Sequence, residues 1–434
     1  MKIIVIPIGS SGDVHPLLGL SIALRERGHD ILFVTNEHFR PLADKAGLAF
    51  EGLGTAEEYH RAINDPDIWH PTKGTRKVLE WSLLGLLQKS YAIVERNYVP
   101  GETIVIGAAL SLGARVAHDK LKVPLVTTQL QPLAIFSRAQ PARYSGMPTW
   151  LPAWMRRTLF GLGEKLAVNP VLLKPLNDFR RELGLPPLKG GIFSDYINSP
   201  QLVLGLFPAW FAGPPPDWPA QVCMPGFPLY DEKGLTAIDP ALDHFLNDST
   251  PPIAFTPGSA MLQGRFFFNA AAEACRAIGR RGLLLTRYAE NIPPDLPPGV
   301  KHFAYAPFSA ILPRCAALVH HGGIGTMAQA LSAGIPQLIM PMAHDQFDNA
   351  WRAEQLGVAL SLSRKKFTAP NLAPRLRRLL EDPAYAQHAS TVARKFDGAQ
   401  PLANACDAIE ELARKLGVLK PAAGFQPVSP APRK

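Results

Sequence analysis

The chain has 434 residues, 47% of them hydrophobic, which fits two or three domains that each bury a core; no run of about 18 apolar residues predicts a membrane span. The formal net charge of +9 favours anionic ligands, but no block of like charge or basic–aromatic interleaving points to nucleic acid. Four scattered cysteines (Cys223, Cys275, Cys315 and Cys406) show no CxxC spacing, which argues for reduced thiols in a cytoplasmic protein and against a disulfide scaffold.

Residues 2–7 read as a first strand, too short for the apolar segment of a signal peptide. The loop Gly9-Ser10-Ser11-Gly12-Asp13-Val14-His15-Pro16 follows. Pro16 suits the first turn of a helix running to Arg27 and stopping at Gly28. Asp13 has two readings: a cap for that helix, or a carboxylate at a strand end that collects a proton. His15 is the second candidate base in the loop. Ile31–Thr35, a helix over 37–47 and a strand from Ala49 to Glu51 continue a βαβ pattern with parallel strands. A dinucleotide oxidoreductase does not fit. The loop is Gly-x-x-Gly, not Gly-x-Gly-x-x-Gly, and the second strand ends in Thr35-Asn36 with no acid for a ribose diol.

From Trp69 to Tyr98 the pattern is helical, and Thr103–Gly107 and Pro124–Thr128 are further strands. Residues 135–178 carry Trp150, Trp154, Met155, Phe160 and Leu162 beside Arg156-Arg157 and several prolines. Such a stretch can wall an apolar ligand pocket, rest on a membrane surface, or pack internally. Residues 207–240 hold eight prolines and read as a semi-rigid connector.

The βαβ pattern then restarts. Ile253–Thr256 is a strand, Pro257-Gly258-Ser259 a loop, 266–278 a helix, and Gly282–Thr286 and Val300–Ala304 strands before Tyr305-Ala306-Pro307. An apolar run from Ala316 to Val319 ends in His320-His321-Gly322-Gly323-Ile324-Gly325-Thr326, and a helix is expected from about Thr326 to Gly334. A glycine turn between strand and helix is an anion site, where unpaired N–H groups and the positive end of the helix meet the ligand. A metal is not expected at the two histidines, because no His/Cys/carboxylate triplet has ligand spacing. The strand Gln337–Met340 leads into Pro341-Met342-Ala343-His344-Asp345-Gln346-Phe347-Asp348-Asn349, whose carboxylates and amides suit a hydroxyl-rich sugar; Asp348 and Asn349 serve equally well as caps. Residues 368–381 form a basic helix, 401–416 an amphipathic one, and 418–434 read as a disordered tail.

His-x-Gly-x-Gly-Thr, Gly-Ile-Pro and Pro-x-x-x-Asp-Gln-x-x-Asn-Ala together resemble the donor-binding signature of nucleotide-sugar glycosyltransferases of families 1 and 28. The likeness spans nearly the whole chain, including Pro-Ala-Trp-Phe-Ala at 208–212. It is strongest to the branch holding sterol and antibiotic transferases and the rhamnosyltransferases of rhamnolipid synthesis. The resemblance implies an α/β chain with the GT-B fold: two facing Rossmann-like domains with parallel sheets and a cleft between them. Residues 1–207 would bind the acceptor, 208–240 connect, 241–400 bind the donor, and 401–417 cross back onto the first domain.

It further implies Asp13 as general base beside Gly12 in the acceptor loop, and Gly258, Ser259, His321, Gly322, Gly323, Gly325 and Thr326 around the donor diphosphate. Tyr305, Pro307 and Gln329 would meet base and ribose; an amide at 329, where many relatives carry glutamate, is compatible with a deoxyribose. Asp345, Gln346 and Asn349 would hold the sugar. Plant relatives pair their base with an aspartate after a later strand, but Ala108-Ala109-Leu110-Ser111 carries no acid. The implied reaction is inverting transfer of a hexose from a dTDP- or UDP-sugar to an apolar hydroxyl compound, without cofactor or metal. It would take place beside an enzyme that makes an acyl acceptor.

Overall fold

The computed structural model describes residues 1–69, 73–143, 150–232, 237–248, 250–259 and 261–419. Most of the expected tail lies outside them. Two all-parallel sheets organise the described residues. The first has the order β3-β2-β1-β4-β5-β6-β7, where β1 is Lys2–Ile6, β2 Asp30–Thr35, β3 Ala49–Gly52, β4 Thr103–Ala108, β5 Leu125–Gln129, β6 Leu202–Gly205 and β7 Val222–Cys223. The second runs β10-β9-β8-β11-β12-β13, from β8 Ile253–Thr256, β9 Gly282–Leu285, β10 Val300–Phe303, β11 Ala317–His320, β12 Gln337–Ile339 and β13 Ala359–Ser361. This is the GT-B arrangement of two Rossmann-like units.

The strands read as unbroken apolar runs because helices cover both faces of each sheet. On one face of the first sheet, Ile3 and Val5 pack with Leu17, Leu18 and Leu24 of the Ser11–Glu26 helix. On the other, Ile4 and Ile6 pack with Leu87, Val116, Leu172 and Leu176. In the second sheet Phe255 and Val319 meet Phe267 and Phe268 of the Arg265–Ile278 helix and Leu372 and Leu376 of the Ala369–Glu381 helix. The Pro401–Lys415 helix buries Ala405, Cys406, Ile409 and Ala413 in the first unit's core. Arg27 Nη1 to Asp407 Oδ1 (2.6 Å) and His29 Nε2 to Glu410 Oε1 (3.1 Å) hold it there.

Three local readings change. The first helix starts at Ser11, five residues before Pro16, which therefore sits inside it; Ser10 and Asp13 supply start signals that outweigh the proline. The proline-rich stretch is not wholly a connector, since Val222–Cys223 joins the edge of the first sheet beside β6. The helical region after Trp69 breaks into Lys73–Val78, a π-helical turn over Leu79–Leu84, and Leu87–Asn97.

In both sheets the strand order reverses beside the first strand of the unit, between β1 and β4 and between β8 and β11. Loops leaving the carboxyl ends of strands at such a point form the ligand crevice. In each crevice the two sides come together: Ser111 Oγ donates to Ile6 O at 2.7 Å, and Gly258 lies so near the His321 ring that a Cβ there would fall 2.8 Å from it. The Ser11–Glu26 and Ile324–Ala333 helices pack together, so the two crevices face each other.

Candidate active site

Asp13 is the third residue of its helix. Its Oδ2 accepts hydrogen bonds from Ser10 N (2.7 Å) and Ser10 Oγ (3.1 Å). The close approach of this carboxylate excludes a side chain at residue 9, where a Cβ would fall 2.2 Å from Oδ2; Gly9 also has φ +139°. Asp13 is thus engaged at its helix start as well as lining the cleft, and the two sequence readings are geometrically compatible. Surrounding protein strips water from the carboxylate, and this desolvation lifts its pKa to about 6 against the lowering effect of the Ser10 bonds.

His15 does not join Asp13. Its Nε2 lies 3.1 Å from Glu232 Oε1. Glu232 is 3% exposed and takes a left-handed backbone conformation, φ +61°, which is uncommon for a non-glycine residue. The same oxygen accepts from Tyr305 Oη at 3.4 Å, so Glu232 joins the first unit's helix to the second unit. Its neighbour Asp231 accepts from Ser309 N (2.7 Å) and Ser309 Oγ (3.2 Å), just past Pro307, and its carbonyl accepts from Tyr305 Oη at 3.1 Å. No local pattern in a proline-rich connector announces this pair.

Across the cleft, His320 and His321 differ sharply. His320 is wholly buried: Nδ1 accepts from Gly322 N at 3.1 Å, and Nε2 therefore donates to Gln337 Oε1 at 2.9 Å. Burial drives its pKa down to about 3, so the ring is neutral and braces the turn. His321 is half-buried, is also neutral through desolvation, with a pKa near 4, and its Nδ1 is shielded with no hydrogen-bond partner among the described residues. Its ring lies between two glycines, since a Cβ at Gly323 would sit 2.5 Å from Nε2 and one at Gly258 2.9 Å from it. Both glycines make room for an imidazole.

The Ile324–Ala333 helix begins with Gly323 at the N-cap, no capping side chain and no acidic residue in its first turn. Gly325 faces open space. Thr326 is half-buried and Gln329, one turn on, is 7% exposed, and the i,i+3 spacing puts them on one face. Gly334 closes the helix with φ +69°.

The third cluster follows β12. Asp345 precedes the Gln346–Gln355 helix and accepts from Asn349 Nδ2 at 2.5 Å. Desolvation is the main reason its pKa rises to about 7, and the charge of Asp13 adds to the rise. Gln346 Oε1 accepts from Met342 N (2.8 Å) and Ala343 N (3.2 Å), which turns its carbonyl end inward. Asn349 is wholly buried and also donates to Gly322 O at 3.0 Å, tying this loop to the glycine turn. Asp348, 1% exposed, accepts from Arg352 Nε (2.7 Å) and from Arg143 N of the first unit (3.0 Å). Neither Asp348 nor Asn349 is a helix-start cap.

Sequence reasoning also passed over Arg287 and Tyr288 after β9. The Arg287 guanidinium lies 4.9 Å from the Tyr305 ring centre, and its charge helps hold down the pKa of His38 on the first unit, after desolvation and His60. Tyr288 Oη donates to the carbonyl of exposed Ser259 at 3.4 Å. A basic residue two past a strand was the available signal. Among the described residues no group of three or more His, Cys, Asp or Glu side chains is gathered as metal ligands.

Residues 3–135 match the glycosyltransferase family 28 N-terminal domain, and residues 285–411 match the erythromycin biosynthesis protein CIII-like C-terminal domain. The chain is 30% identical to O-mycaminosyltylonolide 6-deoxyallosyltransferase of Streptomyces fradiae, over 95% of this chain and 98% of that protein. It is 24% identical to the sterol 3-beta-glucosyltransferase of Saccharomyces cerevisiae strain YJM789, over 93% of this chain and 34% of that longer protein. Among solved structures, a spinosyn rhamnosyltransferase complexed with thymidine diphosphate superposes with TM-score 0.67 at 19% identity, covering 96% of this chain and 100% of the other. The kitacinnamycin glycotransferase gives TM-score 0.72 at 20% identity, covering 95% and 99%. With two facing parallel-sheet units, a glycine turn at one switch point and this relationship over its length, the chain belongs to the GT-B nucleotide-sugar glycosyltransferases of the family 28 and erythromycin CIII-like type, and is a hexosyltransferase.

Proposed function

We propose that the enzyme is an inverting, metal-independent transferase that moves a 6-deoxyhexose from a dTDP-sugar to a hydroxyl of a lipid-like acceptor. The most specific form is dTDP-L-rhamnose to a 3-(3-hydroxyalkanoyloxy)alkanoate. The observation carrying the reading is geometric: the Ser11–Glu26 and Ile324–Ala333 helices pack together, which sets Asp13 opposite the glycine turn to which Asn349 ties Asp345, and the charge of Asp13 adds to the raised pKa of Asp345. A proton acceptor thus stands across one cleft from the sugar-side carboxylate. A 6-deoxyallosyltransferase relative and a neighbour complexed with thymidine diphosphate are in line with a dTDP donor.

In this reading the diphosphate meets the N–H groups of Gly323, Ile324, Gly325 and Thr326, with neutral His321 donating a further hydrogen bond. These fixed dipoles stabilise the departing nucleoside diphosphate. Gln329 takes the ribose, and the base stacks on Tyr305 on the face away from Arg287, near Pro307. Asp345 and the Gln346 amide hold sugar hydroxyls, and Asn349 acts by orienting Asp345. The acceptor lies beside Gly12, and Asp13 removes its proton as the oxygen attacks the anomeric carbon. The C–O bond to the diphosphate breaks on the opposite face.

Purified enzyme incubated with dTDP-L-rhamnose and the hydroxyalkanoyloxyalkanoate should give the monorhamnoside, and chelator should leave the rate unchanged. A product only from UDP-glucose and a sterol or polyketide would move the assignment to that acceptor class. Donor binding with neither glycoside nor free sugar would make the chain a silent binding partner.

A further inference from the structure

The region around Ala153–Gly163 is apolar in sequence, yet this helix has no buried residue. Trp150 is 75% exposed, Trp154 61%, Leu159 46%, Leu162 47% and Leu166 69%. At 100° per residue Trp154, Leu162 and Leu159 fall within an arc of about 140°, with Leu166 continuing it after the π-helical turn at Glu164–Val168. The opposite side of the helix is the one that meets the protein, where Phe160 stacks on Phe136 at 4.4 Å between ring centres. The exposed stripe is therefore not misplaced core.

Its charge is one-sided. Arg157 and Lys165 have no ion-pair partner among the described residues. Glu164, the one acid between 150 and 168, is 8% exposed, and its Oε1 accepts from Phe193 N (2.7 Å) and Ser194 N (3.0 Å). The outward face is thus tryptophan and leucine flanked by cations, with its single carboxylate turned inward. A partner that accepts large aromatic and aliphatic side chains and carries diffuse negative charge is an anionic bilayer surface. Phe136 and Phe160 also line a small cavity with Ile135, Trp218 and Arg352.

We infer that residues 150–168 form a membrane-contact face that seats the first unit on anionic lipid headgroups, with Trp154, Leu162 and Leu166 entering the acyl boundary. The face would present an apolar acceptor at its source. Lipid binding can be read without donor or acceptor, so its failure and that of the proposed transfer are separable.

The test is flotation of the full chain with vesicles of phosphatidylethanolamine containing phosphatidylglycerol, or of phosphatidylcholine alone. The wild type should float with the anionic vesicles and be released by salt. The triple variant Trp154→Ser, Leu162→Ser, Leu166→Ser should bind at least about tenfold more weakly with an unchanged melting profile. Arg157→Gln with Lys165→Gln should remove the preference for anionic vesicles. No flotation of the wild type, or flotation indifferent to both variants, would overturn the inference. So would a wild-type dimer that the triple variant converts to monomer, since the face would then serve a second copy of the chain.

Discussion

Two strand–turn–helix pieces face each other in this enzyme, and they treat the same helix start in opposite ways. After β1, Asp13 folds back so that its carboxylate takes the Ser10 N–H, and the helix carries its own negative group. After β11, Gly323 caps the helix with no side chain and no acid follows in the first turn. The positive end of a helix is an anion site only if the chain does not fill it. The first crevice therefore holds a fixed carboxylate, the proposed base, and the second leaves its helix start open, as the proposed phosphate site requires.

Removing the base should have the largest effect. Asp13→Ala should lower turnover by about 10²–10⁴-fold, with donor affinity by calorimetry nearly unchanged; undiminished turnover would remove Asp13 from the chemistry. Filling the second crevice comes next. Gly323→Ala drives a Cβ into the His321 ring and should weaken nucleotide binding by about tenfold or more, about 1.4 kcal/mol. Gly325 is exposed and a Cβ there meets no protein atom, so Gly325→Ala should leave the fold intact and raise only the donor KM.

The pH dependence sharpens the contrast further. With Asp13 near 6, kcat/KM should rise through that pH and level off above it, and the Asp13 variant should lose the step. Both carboxyls have folded pKa values above the ordinary 3.8, so the folded chain binds their protons more tightly than the unfolded chain. Their contribution to stability is then lost as pH rises from about 4 through 6 to 7. The smallest effect follows from this: Asp345→Asn should raise the melting temperature at pH 8 by roughly 2 °C and not at pH 4. Equal shifts at both pH values would contradict it.

Both strand–turn–helix pieces were legible, though not the residues at which their helices start, because each is a short run with a strand before it and turn residues inside it. The paired sheets were legible for the same reason, since apolar strands and helical stretches alternate along the chain. What could not be read depends on residues far apart in sequence. Glu232 meets His15 and Tyr305 across two units, and its positive φ leaves no trace in a proline-rich stretch. Asn349 and Asp348 looked like ligands or caps, but their partners are Gly322 O and Arg143 N. Only the folded chain shows that the Asp348 carboxylate and the Asn349 Nδ2 are already committed. Pro16 misled for a local reason, because Ser10 and Asp13 start the helix ahead of it.

The difference between the two crevices is tested most directly by a structure of the enzyme soaked with dTDP. The expected result is the diphosphate within hydrogen-bond reach of the Gly323–Thr326 N–H groups and His321, with Asp13 still bonded to Ser10. A diphosphate bound at the Gly9–Asp13 loop, with the later turn empty, would contradict it.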